Sequence, residues 1–218
     1  AASDVYKRQI YTSFKGVLAF EDLWPSKGDY DMNDVVIEYK RDIYKNIITS
    51  KVVKIVDTFT PKYDGANNSN GFGYQLTGIP DSDISNISIE SDGVASKYME
   101  GKDRESGQEY PTFILFDNHK TALNKTFTVT MNVAREKYTE QAFTPFFNSP
   151  YWNQDYKYNM NPFIIISANT GRDKEAHIVK FPPTSKMNTS YFGKDTDASR
   201  PEEGLYYVNN ENLSLIHI

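Results

Sequence analysis

Apolar and polar residues alternate along the chain in short runs, the pattern typical of half-buried β-strands. One run, YTSFKGVLAFED, alternates into Phe20, and the next, VVIEYKRDIY, starts at Val35. A third run, IITSKVVKIVDTFTP, covers Ile47 to Pro61 with β-branched residues on both faces. Later candidate strands are GFGYQLTGI, ISNISIE, PTFILFD, KTFTVTMNVA, NPFIIISA and AHIVKF.

Clusters of Gly, Pro, Asn and Asp separate these runs and predict turns between them. The longest are the Gly/Asn-rich loop Tyr63–Gly73 and the polar, Tyr-rich loop Asn153–Pro162. No amphipathic helix of useful length is predicted, and no internal repeat or linker is found. Many short strands joined by such turns predict an all-β, antiparallel, jelly-roll-like β-sandwich with long loops, folded as one domain.

The composition supports this fold class and narrows the range of partners. Tyr and Phe are abundant, at 16 and 13 residues, which is typical of strands. The net charge of −5 and the lack of a basic stripe argue against nucleic acid. The chain has no Cys, so disulfides, thiolate zinc sites and Cys nucleophiles are excluded. No apolar stretch is long enough to cross a membrane.

Both ends of the chain resemble translated sequencing adapter. Residues 1–9, AASDVYKRQ, and 213–218, LSLIHI, match the two orientations of a common transposase adapter. We therefore expect the native domain to be residues 10–212, truncated at both ends. Tails of this origin are not selected to pack, so we also expect them to make no consistent contacts with the core.

An acidic loop lies between the first two predicted strands, in AFEDLWPSKGDYDMNDVVIEYK. Asp29, Asp31 and Asn33 form a D-x-D-x-N run, a spacing that wraps alternate side-chain oxygens around one cation in calcium loops. A bound dication also removes the repulsion among the carboxylates. The loop is no EF-hand, because Asp34 stands where Gly is needed and a strand follows.

The sequence therefore predicts a Ca²⁺ site, with Mg²⁺ disfavoured because it needs a tighter octahedral shell. The alternative is plain turn chemistry, since Asp and Asn side chains also cap turns. Asp34 is either a ligand or the residue that holds the loop to the next strand. The candidate metal ligands are Asp22, Asp29, Asp31, Asn33, Asp34 and Glu21.

FEDLWPSKGDYDMNDVVIEY closely resembles the signature of the LruC-domain family, bacterial cell-envelope proteins, often lipoproteins, that carry a region of unknown function called DUF4842. A shorter form of this signature, F-E-D followed by D-x-D-x-N-D and two hydrophobic residues, is similar to the DUF4114 domain. GANNSNGFGYQL, NPFII, EAHIVKFPPT and FGKDTDAS fit the same family, so the resemblance covers most of residues 10–212. The resemblance implies export to the bacterial cell envelope.

Two further groups of side chains are candidate sites. Glu175 and His177 alternate on a short predicted strand, and Asp195 and Asp197 lie in FGKDTDAS, so the four form a candidate second polar site or an extension of the first. The alternative is a solvated strand face beside an Asp-rich turn. The aromatic residues proposed to stack on a ligand, or alternatively to plug the sandwich end, are Tyr151, Trp152, Tyr156 and Tyr158. Trp24 is expected to plug an end of the sandwich, and His119 is expected to lie in a turn.

Two functions are consistent with these features. The first is a non-enzymatic, calcium-stabilised surface domain that serves in adhesion or binds a glycan or protein. The second is a carboxylate-dependent hydrolase, similar to a glycosidase, that acts on a surface glycan and needs two acids facing an open cleft. The sequence favours the first, because it shows neither a cleft nor a nucleophile motif such as G-x-S-x-G.

Overall fold

The computed structural model describes residues 9–29, 31–145, 159–209 and 216–217. Within them, two antiparallel sheets and one four-residue α-helix confirm the predicted all-β sandwich. The strands are β1 (Gln9–Phe20), β2 (Val35–Asn46), β3 (Val52–Asp64), β4 (Gly71–Thr77), β5 (Ile84–Ser91), β6 (Thr112–Phe116), β7 (Phe127–Val133), β8 (Asn159–Ile165), β9 (Glu175–His177) and β10 (Ile216–His217). Helix α1 is His119–Ala122.

One sheet has six strands in the order β10-β1-β2-β3-β7-β5, and the other has four in the order β6-β4-β8-β9. The alternation along each strand sends every second side chain between the sheets. In β7, for example, Phe127, Val129 and Met131 are fully buried while the threonines between them are half-buried. Aromatic rings from both sheets meet in this core, where Phe59 of β3 packs against Phe72 and Tyr74 of β4.

A buried ion pair lies within the six-stranded sheet. Arg41 of β2 and Asp57 of β3 are register partners, and Nε and Nη2 of Arg41 each donate to one Asp57 carboxylate oxygen at 2.6 Å. Arg41 also donates to the carbonyl of Phe143 at 3.1 Å. These bonds satisfy the charges inside the core, which would otherwise be costly to bury.

The start of the third strand differs from the prediction. Residues 47–49 form a turn and β3 begins only at Val52, so Ile48 is 83% exposed. The Asn46 side chain accepts hydrogen bonds from the amides of Ile48 (2.8 Å) and Thr49 (3.2 Å). This Asx-type turn overrides the β propensity of the isoleucines.

The tails contact the sandwich at three described residues, so the expectation that they make no such contacts is wrong there. Gln9 extends β1 and pairs with Asn46, while Ile216 and His217 pair with Phe20 and Ala19. The physical reason is that an open sheet edge offers unpaired backbone groups to any extended segment, whatever its sequence. Among the described residues, no helix has the length and apolar character to cross a bilayer.

Candidate metal site

The acidic loop joins two strands that are neighbours in the sheet. Phe20, at the end of β1, pairs with Val35, at the start of β2. The residues that follow and precede these positions, Glu21 and Asp34, are therefore close at the base of the loop. The hydrogen bond from the amide of Asp22 to Oδ2 of Asp34, 2.8 Å long, closes that base.

Three carboxylates converge above it. Glu21, Asp29 and Asp31 each place one oxygen within 4.8 Å of the others. Ligand oxygens lie at roughly 2.3–2.6 Å from a bound Ca²⁺, so oxygens on opposite sides of one ion are about 5 Å apart. The spacing therefore suits a single cation. Glu21 is only 1% exposed, whereas Asp29 and Asp31 are exposed, so the site has a buried floor and an open rim.

The burial of the Glu21 carboxylate is not explained by Asp and Asn side chains capping a turn. Its Oε1 accepts a hydrogen bond from the amide of Met32 at 2.6 Å, but its Oε2 is buried and has no hydrogen-bond partner among the described residues. Burial raises the pKa of Glu21 to about 6, against the effect of the Met32 bond, and the charges of Asp34, Asp29 and Asp31 add to the rise. A cation beside Oε2 would satisfy this oxygen and favour the ionised form.

The other acids of the loop hold it in place. Asp22 Oδ2 accepts hydrogen bonds from the side-chain amides of Asn68 (3.0 Å) and Asn70 (2.7 Å). Burial raises the pKa of Asp34, the bond from Asp22 lowers it, and the charges of Asp22, Asp29 and Asp31 raise it further. Asp34 thus closes the base of the loop by accepting the bond from the Asp22 amide, and its alternative role as a metal ligand stays a prediction.

Asn33 also supports the loop from the side. Its side-chain amide donates to Oδ2 of Asp31, and its carbonyl accepts a hydrogen bond from the amide of Gly65 at 3.1 Å. A Cβ on Gly65 would lie 2.3 Å from Oδ1 of Asn33, so only glycine permits this close approach. Met32 has a φ of 54°, a left-handed conformation that is costly for its side chain.

Behind the loop lies a buried polar junction that the sequence analysis did not predict. Asn70 and His119 are both fully buried, and His119 lies in α1 rather than in the predicted turn. The Asn70 amide donates to Nδ1 of His119 at 3.2 Å, and Nε2 of His119 lies 2.7 Å from Oδ1 of Asp64. A backbone N–H only donates, so Nδ1 accepts and Nε2 carries the proton that faces Asp64.

Replacing Asn70 tests whether this junction holds the acidic loop. Asn70→Ala removes the bond to Asp22 and the 3.1 Å bond that its Oδ1 accepts from the Ser167 amide. We expect a loss of about 2–4 kcal/mol in the free energy of unfolding, because buried partners lose their bonds. Asn68→Ala is the control: Asn68 is half-buried and makes one of the same bonds, so the loss should be under ~1.5 kcal/mol. Equal losses in urea unfolding would show that Asn70 has no special role.

Trp24 connects the start of the acidic loop to residues 191–207. It is 2% exposed, as expected, and its ring packs against those of Tyr191, Phe192 and Tyr207. Its indole Nε1 donates to Oδ1 of Asp197 at 2.8 Å. Asp195 accepts a hydrogen bond from Ser26 at 2.9 Å. Asp195 and Asp197 therefore anchor the acidic loop.

Glu175 and His177 lie together on β9 and are fully buried. His177 Nε2 is 2.8 Å from Oε2 of Glu175, and Nδ1 is 2.7 Å from Oδ1 of Asn161. The imidazole lies between the rings of Phe163 and Tyr207, with centroid distances of 4.7 and 5.1 Å. Burial lowers the pKa of His177, an effect that Glu175 opposes.

Arg172 completes this group and pairs with two acids. It contacts Glu175 and also binds both oxygens of Glu105, at 2.7 and 2.9 Å. Burial alone would raise the pKa of Glu175, but Arg172, His177 and Thr184 lower it to about 2. We call Glu105, Arg172, Glu175 and His177 the β9 charge network. Of the four residues predicted as one polar site, Glu175 and His177 belong to this network, whereas Asp195 and Asp197 bond to Ser26 and Trp24 in what we call the Trp24 anchor. The Tyr207 ring packs against both groups, at Trp24 and at His177.

The predicted ligand-stacking residues Tyr151, Trp152, Tyr156 and Tyr158 lie outside the described residues. Their role stays a prediction.

Comparisons with known proteins place the chain in a family. No curated protein matches its sequence significantly. Its fold is similar to that of a candidate lipoprotein from Bacteroides ovatus whose crystal structure is known at 2.08 Å resolution, with a TM-score of 0.61 and 18% identity. The match covers 96% of this chain but 65% of the Bacteroides protein, so the chain spans about two thirds of that length.

A family profile described as a domain of unknown function matches residues 50–217, well over half of the sequence. The match begins at the end of the β2–β3 turn and takes in β3 to β10, although the acidic loop precedes it. The chain therefore belongs to the DUF4842 family.

Proposed function

We propose that the protein is a non-enzymatic, calcium-stabilised β-sandwich domain of a bacterial surface lipoprotein, which serves in adhesion or ligand binding. The observation that carries the calcium part is the buried Oε2 of Glu21, which lies beside Asp29 and Asp31 and has no hydrogen-bond partner in the part of the chain that the structure describes. Support for the location comes from the fold shared with the Bacteroides ovatus candidate lipoprotein.

Calcium suits the donor set better than other biological cations. All three converging groups are carboxylates, hard oxygen ligands with none of the nitrogen or sulfur atoms that zinc and copper favour. Asp29 and Asp31 lie on an exposed loop, so they can adjust to the irregular shell that Ca²⁺ accepts and Mg²⁺ does not. The function of the ion is to hold together acids that otherwise repel each other.

Thermal unfolding with excess calcium and then with chelator tests the proposal. If the site forms only on folding, calcium adds about 2.7 kcal/mol at 100 times its dissociation constant. We expect the wild type to lose several degrees of Tm in chelator and Asp31→Ala to be insensitive. Magnesium at the same concentration is the control ion and should replace little of the effect. An unchanged wild-type Tm, together with no heat of binding at millimolar calcium in calorimetry, would overturn the calcium site.

A further inference from the structure

Exposed apolar side chains are concentrated at one end of the sandwich. The large apolar side chains that are exposed in the described part of the chain are Ile10, Tyr11, Val17, Leu23, Ile47, Ile48 and Tyr63. The first two start β1 beside the end of β2, and Ile47 and Ile48 follow β2 directly, so four of the seven lie at this end. We call residues 46–51, the turn between β2 and β3, the β2–β3 tip. A concentration of exposed apolar groups marks a surface that binds a partner.

The β2–β3 tip presents its isoleucines on a turn that bonds its own backbone. Ile48 is 83% exposed and Ile47 is 47% exposed. The amides of Ile48 and Thr49 donate to the Asn46 side chain, and the amide of Ser50 donates to the Asn46 carbonyl at 2.8 Å. In hydrocarbon an amide without a partner is costly, so a loop that enters a bilayer has to bond its amides internally. This turn does so at three successive residues.

The residues behind the isoleucines are of the types that favour the surface of a bilayer. The rings of Tyr11 and Tyr44 are stacked there, with centroids 5.4 Å apart. Lys54 Nζ lies 4.6 Å from the centroid of the Tyr44 ring. Tyr rings favour the boundary between hydrocarbon and headgroups, and lysines are attracted to the headgroups of anionic lipids. An aliphatic tip is thus followed by a level of aromatic and cationic groups.

The lysines of this hairpin give the end of the sandwich a positive charge. Residues 44–54 read YKNIITSKVVK, with three lysines and no acid. The loop after β7 packs beside them through the 2.9 Å bond from the Val52 amide to the Tyr138 carbonyl, and Asp83 pairs with Lys137 of that loop. The charged side chains of these described segments are Lys45, Lys51, Lys54, Arg135, Lys137, Asp83, Glu136 and Glu140. Their net charge is positive, which complements an anionic surface.

The size of the apolar patch favours lipid over a protein partner. A stable protein–protein interface takes about 800 Å² from each side. Insertion into lipid needs only protruding apolar side chains with basic groups around them. The acidic loop, which an anionic surface would repel, lies at the opposite end of β1 and β2.

We infer that the β2–β3 tip is a membrane-docking surface, which inserts Ile47 and Ile48 among the acyl chains of a bilayer that contains anionic lipid. The sandwich then stands on the bilayer with its acidic loop farthest from the lipid. The inference concerns a different end of the molecule from the proposed calcium site and does not depend on it.

Co-sedimentation of the full chain with vesicles tests the inference. Vesicles of phosphatidylglycerol and phosphatidylcholine in equal parts provide the anionic surface, and phosphatidylcholine alone provides the neutral one. We expect the protein to bind the anionic vesicles, with affinity lowered about tenfold or more in Ile47→Ser/Ile48→Ser, because two inserted side chains are lost. Leu23→Ser is the matched control: Leu23 is as exposed as Ile47 but lies in the acidic loop, so this variant should bind like the wild type. Lys51→Gln/Lys54→Gln should weaken binding to the anionic vesicles only.

A fluorescent label shows which end of the molecule meets the lipid. The chain has no Cys, so Thr49→Cys and Leu23→Cys each provide a single position for an environment-sensitive dye. The dye at position 49 should shift its emission to the blue on vesicle binding and be quenched by lipids with brominated acyl chains. The dye at position 23 should change little.

The inference is wrong if the protein binds neither kind of vesicle or if Ile47→Ser/Ile48→Ser binds as well as the wild type. It is also wrong if the wild type is a dimer that this variant converts to a monomer, since the tip would then be a contact between two copies. Binding should persist in chelator, and a requirement for calcium would assign the lipid contact to the acidic loop instead. A wild-type Tm that does not respond to calcium would overturn the proposed function but leave this inference standing.

Discussion

Glu21→Gln should have opposite effects on stability with and without calcium. In the calcium-free protein the folded state raises the pKa of Glu21 from 4.5 to about 6. The folded state then binds the proton more tightly than the unfolded state does, so this group favours folding below pH 4.5 and its contribution is lost as the pH rises through 6. At pH values above 6, this shift lowers the free energy of unfolding by about 2 kcal/mol. Gln carries no charge, so the calcium-free variant should gain about that amount at pH 7.5.

With calcium present, Glu21→Gln should lower the free energy of unfolding instead of raising it. The variant lacks the buried anionic ligand and should lose most of the stabilisation that saturating calcium provides, about 2.7 kcal/mol at 100 dissociation constants. Urea unfolding at pH 7.5, with calcium and with chelator, measures both arms. Glu100→Gln, at an exposed acid of another loop, is the control and should change stability in neither condition. A variant that is equally destabilised in both conditions would mean that Glu21 has only a packing role.

Arg172→Met should destabilise the protein strongly at neutral pH and less so in mild acid. Arg172 is the partner of two nearly inaccessible carboxylates, those of Glu105 and Glu175. Removing one member of a buried ion pair typically costs about 3–5 kcal/mol, because the remaining charge has no partner. Near pH 5 the orphaned acids can take up protons, so the loss should shrink.

The wild type should respond to acid in the opposite sense. Its Glu175 has a pKa of about 2, below the ordinary 4.5, so its stabilising contribution is full above pH 4.5 and is lost as the pH falls toward 2. Chemical unfolding at pH 7, 5 and 4 compares the two proteins. Arg200→Met, at an exposed arginine paired with Glu203, is the control and should be nearly neutral. If the cost of Arg172→Met were independent of pH, the carboxylates would not be its cause.

Much of the fold was predictable because period-two alternation directly reflects the two faces of a strand. VVIEYKRDIY predicts β2 well: Val35, Ile37 and Ile43 are fully buried and Glu38 and Lys40 are exposed. What the pattern did not reveal is that Arg41 and Asp57 would both face inward. Each is a charged residue whose burial depends on its partner across the strands, 16 positions away.

The sequence located the acidic loop but did not show which of its carboxylates converge. The density of acids between two strands identifies the loop, but whether Glu21 or Asp22 points into it depends on the bend after Phe20. That bend is fixed from outside, by Asn68 and Asn70, whose bonds to Asp22 span 46 and 48 positions. A local motif carries no signal for such contacts. The same is true of the contacts that form the Trp24 anchor and the β9 charge network.

The Trp24 anchor also bears on the order in which the protein folds. The β1–β2–β3 meander needs only nearby residues, whereas the bond from Trp24 to Asp197 closes 173 positions of chain. Contacts of such separation form late, because the entropy of closing the loop is lost before the contact contributes. The acidic loop is synthesised before the segment around Asp197. Its bond to Asp197 can therefore form only after that segment has been made. If the loop holds an ion, as proposed, capture of that ion would follow the arrival of Asp197 and would therefore mark the end of folding rather than its start.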